Sequence, residues 1–264
     1  MTLAHVNATT DFRYYLGVHE VHVWHAELTN VEDARHLEPM LSPDENERAA
    51  RFRFPEHRRR FVIARGRLRQ LLAAYLEVLP RDVGFAYSEA GKPELSAFHR
   101  SDLCFNVSHS GDIGVFAFAL GRRIGVDVEC IRYDVDVDEI PRRFFSQLEQ
   151  QTLAGLEGRQ KIEGFFNCWT RKEAYVKAVG SGLSLPLRDF DVSLAPGEPA
   201  RLLATRPVPD LASKWSMALL ELGQECAAAV VVEGSIETLV VRQLTQPYPL
   251  SHRCDLRHRF SSLK

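Results

Sequence analysis

The chain is 264 residues long, enough for one large domain or two of ordinary size, since domains commonly run to about 100–150 residues. Hydrophobic residues make up 45% of it, with 3 Trp, 7 Tyr and 15 Phe, a globular composition that excludes a disordered chain. The 33 Lys+Arg against 35 Asp+Glu leave a formal charge of −2, which excludes both a generally basic nucleic-acid coat and a uniformly acidic protein.

That balance conceals a skew. Six of the cations are lysines and 27 are arginines, nine of them between Arg48 and Arg69, where Glu56 is the only acid. Such a local charge predicts an anionic partner. The five cysteines (Cys104, Cys130, Cys168, Cys226, Cys254) are widely spaced and form no C-x-x-C, which points to a reducing compartment rather than a disulfide framework or a cysteine zinc site. Residues 1–12 carry neither a basic region nor an apolar run, and no stretch approaches the roughly 18 apolar residues of a membrane span, so a soluble, cytoplasmic chain is expected.

In chain order, loose alternation over 18–28 predicts a strand. Ser42-Pro43-Asp44-Glu45 is a helix start, with a capping serine, a proline at the first helical position and acids in the first turn. From 58 to 79 the apolar positions Phe61, Ala64, Leu68, Leu72, Tyr75 and Leu79 recur at three- and four-residue steps, predicting an amphipathic helix stopped by Pro80, with Arg58, Arg65 and Arg69 on another stripe. Three strands follow at 103–107, 113–120 and 124–129, joined by turns at Gly111-Asp112 and Gly121-Arg122-Arg123. Ser146 and Glu149 have capping-box spacing. Ile162, Phe165, Phe166, Trp169, Val176 and Val179 mark a longer helix ending at Gly180. Strands are expected at 217–222 and 226–232, and an irregular tail from 246. Without strict strand–helix alternation the class is α+β.

Three clusters carry chemistry. In Ile124-Gly125-Val126-Asp127-Val128-Glu129 the strand period of two puts Asp127 and Glu129 on one face, about 7 Å apart, where they can converge on one hard cation. The same pattern also describes the solvated face of an edge strand. In Trp169-Thr170-Arg171-Lys172-Glu173-Ala174-Tyr175-Val176-Lys177, Glu173 and Lys177 lie one turn apart, either as an exposed ion pair or as a third oxygen ligand or general base beside a cation for phosphate. Gly91-Lys92-Pro93 and Phe105-Asn106-Val107-Ser108-His109-Ser110 offer an ammonium, hydroxyls, an imidazole and backbone N–H groups, which serve either a phosphate or a plain turn. P-loop, dinucleotide-fold, H-E-x-x-H and G-x-S-x-G signatures are absent.

Taken in order, G-K-P, F-N-x-S-H-S, I-G-V-D-V-E and W-T-x-K-E-A-x-x-K resemble the surfactin-type 4'-phosphopantetheinyl transferases. Gly182-Leu183-Ser184-Leu185-Pro186-Leu187 continues the likeness, as do Ser42-Pro43, Arg51-Phe52 and the arginine-rich helix, so that it covers about residues 18–232.

The resemblance implies transfer of the phosphopantetheine arm of coenzyme A to a serine of an apo acyl or peptidyl carrier protein, releasing 3',5'-ADP. It implies two similar α+β subdomains related by a pseudo-twofold, 1–120 and 121–264, with an extension from about 234 and the active site in the cleft between them. A monomer follows, with no nucleic acid and no membrane as partner. Carried over by position, Asp127, Glu129 and Glu173 hold Mg2+, with Mn2+ as an alternative. Glu173 deprotonates the carrier serine and Lys177 meets the pyrophosphate. Lys92, Ser108 and His109 hold phosphates, while Arg48 and Arg60 serve the 3'-phosphate and adenosine end. Glu149 aligns with an acid given a catalytic role in some members, and its capping-box position explains it equally well. Two rival classes are a Mg2+-dependent transferase acting on ATP and a nucleic-acid module built on 48–69. Against the latter, Phe52, Phe54 and Phe61 are expected in the core rather than interleaved with the arginines.

Overall fold

In the computed structural model, which describes residues 2–4, 14–89, 91–206, 208–223 and 225–244, the first half runs β1 (Thr2–Ala4), β2 (Glu20–Glu27), α1 (Val31–Leu37), α2 (Pro43–Ala50), α3 (Pro55–Leu76), β3 (Phe85–Tyr87), β4 (Pro93–Leu95), β5 (Leu103–Ser110) and β6 (Ile113–Leu120). It continues through β7 (Ile124–Cys130), α4 (Glu139–Phe144), α5 (Gln147–Ala154), α6 (Gly158–Val179), β8 (Phe190–Val192), β9 (Leu202–Thr205), β10 (Trp215–Leu219), β11 (Cys226–Glu233) and β12 (Thr238–Gln243). Cys254 and the tail expected from 246 lie outside the described residues.

Helices and strands are mixed as the α+β reading expects. One sheet has the order β1-β12-β2-β6-β5 and a second the order β10-β11-β7, with β3-β4 and β8-β9 as separate pairs. Alternation along the strands sorts the apolar residues into layers. Trp24, Phe105, Phe116 and Phe118 pack under Leu68, Leu71 and Leu72 of α3. The other face of that sheet, with Val21, Val23, Val115 and Ala117, meets Val126, Val128, Val230 and Val232 of the second. Beyond it, Phe165, Ala174, Tyr175 and Ala178 of α6 cover Ala227, Ala229 and Val231. The order of layers is therefore helix, sheet, sheet, helix. Thr238–Gln243, within the segment read as an extension, forms β12 and pairs in parallel with β2, inside the sheet of the first half. Among the described residues no helix is long and apolar enough to cross a membrane.

Two expectations about the arginine-rich segment change. The helix runs from Pro55 to Leu76, closed by Glu77 in the left-handed region at φ 55°, so it ends before Pro80, which opens a short 3-10 turn instead. The net charge of 48–69 is partly answered from within the chain: Arg58 pairs with Glu38, Arg60 with Asp112, Arg65 and Arg69 with Glu45, and Arg67 with Asp33. Arg69 and Glu45 are only 2% and 3% exposed, so this pair is part of the core, and Arg69 also donates to the carbonyls of Pro80 and Val83. The acids come from α1, the 3-10 turn that follows it, α2 and the β5–β6 turn, distant in sequence, and the fold gathers them. Phe52 and Phe54 are 37% and 50% exposed, between Arg51 and the α3 N-terminus, so of the three aromatics expected in the core Phe61 alone packs partly into it.

At Gly125 two layers come into close contact. A Cβ there would stand 2.1 Å from the Ala174 carbonyl oxygen and 2.3 Å from the Ala178 nitrogen, so α6 lies backbone to backbone on β7. Gly125→Ala should destabilise the protein by about 3 kcal/mol, the upper range for overpacking a close-packed interior. Urea denaturation followed by circular dichroism measures it, and an unchanged midpoint would show that α6 is free to lift.

Candidate active site

β7 is the edge of its sheet. On one side it pairs with β11, and on the other no strand among the described residues is hydrogen-bonded to it. Side chains meet its outward polar groups instead. The Val126 N–H donates to Asn106 Oδ1 (2.8 Å) and the Cys130 N–H to Ser110 Oγ (3.1 Å). The Ile124 carbonyl accepts from Lys92 Nζ (3.0 Å) and the Val126 carbonyl from Lys177 Nζ (3.4 Å). Alternate residues of β5 thus reach across to β7 through their side chains, as the period of two places them. Neither Asn106 nor Ser110 is picked out from the sequence for this. The signal is the row of hydrogen-bonding side chains at 106, 108 and 110.

Asp127 and Glu129 project on the Gly125 face, toward α6. Asp127 is 4% exposed: its Oδ1 accepts from Lys177 Nζ (2.6 Å) and Ser108 Oγ (2.8 Å), while its Oδ2 is buried without a hydrogen-bond partner. Glu129 Oε2 accepts from Ser110 Oγ at 2.8 Å. Glu173 is half-buried one helical turn before Lys177. Burial pushes all three carboxyls above the usual carboxylate range. The charge of Asp127 adds to the rise at Glu129 and at Glu173, and Glu129 adds to it again at Glu173, while Lys177 pulls Asp127 the other way. The three acids expected together therefore interact with one another. Among the described residues no three His, Cys, Asp or Glu side chains converge closely enough to ligate one ion, and at Asp127 the adjacent cation is the Lys177 ammonium.

The expected anion ligands divide. His109 stands at the end of β5, exposed at its rim. Crowding by the surrounding protein, then the Lys177 and Arg60 charges, hold its imidazole below the usual pKa. Ser108, His109, Arg60 and Lys177 thus surround one region, with Arg60 braced on Asp112 at 2.6 Å. Lys92 donates to the Ile124 and Lys177 carbonyls (3.0 and 2.8 Å), and burial lowers its pKa. Arg48 is exposed on α2 with its guanidinium over the Phe61 ring, 5.3 Å from the centroid.

Glu149 belongs to the core. It is 1% exposed and closes the capping box on the Ser146 N–H (2.8 Å). Its other oxygen accepts from the Val192 N–H and from Lys172 Nζ, both at 2.8 Å. Lys172, fully buried, also donates to the carbonyls of Leu187 and Phe190. These bonds leave Glu149 no free oxygen for substrate.

Two family models match the chain: "4'-phosphopantetheinyl transferase superfamily" over residues 123–231 and "4'-phosphopantetheinyl transferase, N-terminal" over 24–120. The 4'-phosphopantetheinyl transferase HetI of Nostoc sp. is 42% identical over 217 residues, covering 81% of this chain and 88% of that protein. The 4'-phosphopantetheinyl transferase Sfp of Bacillus subtilis is 32% identical over 167 residues, covering 63% and 72%. Among solved structures, a holo-(acyl-carrier-protein) synthase from Bacillus anthracis in complex with CoA aligns at TM-score 0.32 and 23% identity, over 42% of this chain and 95% of that one.

Two measurements separate site from scaffold. Glu149→Ala should lower unfolding free energy by about 3–5 kcal/mol in a urea titration, the cost of stranding a buried charge; a loss under about 1 kcal/mol would return Glu149 to the candidate catalytic groups. In ligand-free protein the His109 ring should titrate below the ordinary histidine value of about 6.5 by NMR. Inorganic pyrophosphate should move that titration upward, because a neighbouring anion favours the charged ring. A titration unmoved by pyrophosphate would place the anion elsewhere.

Proposed function

The chain belongs to the 4'-phosphopantetheinyl transferase superfamily, and from that membership we propose how the open edge of β7 carries out the reaction. The enzyme moves the 4'-phosphopantetheine arm of coenzyme A to a serine of an apo carrier protein and releases 3',5'-ADP. A serine oxygen–phosphorus bond forms as the bond from that phosphorus to the bridging oxygen of the pyrophosphate breaks. The observation that carries the assignment is the juxtaposition of Asp127, Glu129 and Glu173 with Lys177 beside an edge strand.

Asp127, Glu129 and Glu173 would hold Mg2+ or Mn2+. The donor chemistry fits: oxygen atoms suit a hard cation, Asp127 Oδ2 is a buried acceptor with no partner, and Asp127, whose charge raises the pKa of both glutamates, would gain with them from a shared positive charge, the three side chains drawing together to ligate it. When bound, such an ion offsets charge building on the phosphate oxygens during the attack.

The remaining work falls to the protein. Glu173, its basicity raised by burial and by its acidic neighbours, takes the proton of the carrier serine directly or through a water. Lys177 donates to the departing phosphate, turning from Asp127 to do so. Ser108, His109 and Arg60 donate to the pyrophosphate from the β5 end. Lys92 reaches a phosphate by leaving the two carbonyls it now caps, and Arg48 extends the cation set toward the 3'-phosphate. Ser108, Asp127 and Lys177 come from one chain, which supports a monomer, and the widely spaced cysteines support a cytoplasmic setting.

The test is mass spectrometry of an apo carrier protein incubated with enzyme, coenzyme A and Mg2+: the carrier should gain the phosphopantetheine mass, and chelation should prevent it. Asp127→Ala should fold, by circular dichroism, and slow transfer by about 100-fold or more, the scale of losing one preorganised electrostatic contact. Undiminished transfer by that variant would remove the metal assignment.

A further inference from the structure

The register of the second sheet sets two thiols side by side. Cys130 closes β7, Cys226 opens β11, and the two are direct partners across the antiparallel pair. The Ile131 N–H donates to the Glu225 carbonyl and the Glu233 N–H to the Arg123 carbonyl, both at 3.0 Å, so the hydrogen-bonded positions are 131/225 and 123/233. Alternation then makes 130/226 a non-hydrogen-bonded pair, where Cα atoms lie about 4.5 Å apart, inside the roughly 4.4–6.8 Å spanned by disulfides. Both side chains are on the same face, packed against the Val126, Val128 and Ala228 cluster, and both are only partly buried, which leaves some surface open to a small oxidant.

Cys130 is also wired to the site. Its Sγ donates to the Ser110 carbonyl (3.3 Å) and its N–H to Ser110 Oγ (3.1 Å), the same hydroxyl that donates to Glu129 Oε2. We propose that Cys130 and Cys226 are a reversible dithiol–disulfide site, and that oxidation by a low-molecular-weight disulfide such as glutathione disulfide resets the Ser110–Glu129 contact. One cysteine thiolate attacks glutathione disulfide, forming a mixed disulfide and releasing one glutathione thiolate. The second cysteine displaces the other glutathione. The protein pair gives up two electrons and two protons, and two glutathione thiols are formed. Cys130 Sγ must turn from the Ser110 carbonyl to Cys226, which withdraws one of the two bonds that Cys130 makes to Ser110. The effect on transfer rests on the reading of Glu129 as part of the site.

The experiment treats the full chain with glutathione disulfide, alkylates it with iodoacetamide and maps the unreduced digest. The expected product is one linked peptide pair holding Cys130 and Cys226, lighter by two hydrogens than the separate peptides, with a several-fold slower transfer that dithiothreitol restores. Cys226→Ser should keep its transfer rate under oxidation. Recovery of both cysteines alkylated, or each carrying its own glutathione, would overturn the site. Linkage without a change in rate would overturn its coupling to Glu129. Linkage is read without any turnover, so absent transfer by the reduced enzyme would count against the transferase reading and not against the cysteine pair.

Discussion

Everything at the site hangs on a contact that has no side chain in it. Because residue 125 is glycine, the backbone of α6 rests on β7 at Ala174 and Ala178, and only a hydrogen atom fits between. The helix has no latitude in height or phase. Its residues 173 and 177, each one position before those contact points, are therefore carried to the same flank of the strand, where Asp127 and Glu129 project. The bond from Lys177 to both the Val126 carbonyl and Asp127 Oδ1 expresses that placement, since one side chain spans backbone and carboxylate of neighbouring residues.

Much of this was legible because both elements obey simple periods. The strand period alone puts Asp127 and Glu129 on one face, and the helix period alone puts Glu173 and Lys177 on one turn. What escaped the sequence was pairing across long separations. The arginines of α3 read as a wall awaiting phosphates because nothing local shows that Asp33, Glu38, Glu45 and Asp112 will meet them. Phe52 and Phe54 read as core aromatics rather than as partners of the arginines, and the tight passage from α2 into α3 leaves them outside. Thr238–Gln243 gives no sign that it will return to β2, since parallel pairing depends on a distant partner rather than on a turn.

The two lysines of α6 show how position decides chemistry. Lys172 and Lys177 are five residues apart, so they leave the helix in different directions. Lys172 is sealed against Glu149 and two carbonyls, a fully buried charge whose partners are all spoken for. Lys177 keeps part of its surface in solvent and shares its partners with a carboxylate that has an oxygen to spare. The first lysine fixes the scaffold of the second half. The second is free to exchange partners when an anion arrives, which is the property a group in contact with substrate needs.

The side chains that complete β7 also bear on how the molecule behaves in a crowd. An uncapped edge strand presents alternating donors and acceptors that a strand from another molecule can extend, a common start of aggregation. Here Asn106, Ser110, Lys92 and Lys177 occupy those positions, two of them as solvent-seeking charges. A reactive cleft and a protected sheet margin are thus the same strip of surface, and whatever draws both lysines toward a ligand also uncovers, for the duration of that binding, the strand-edge carbonyls they cap.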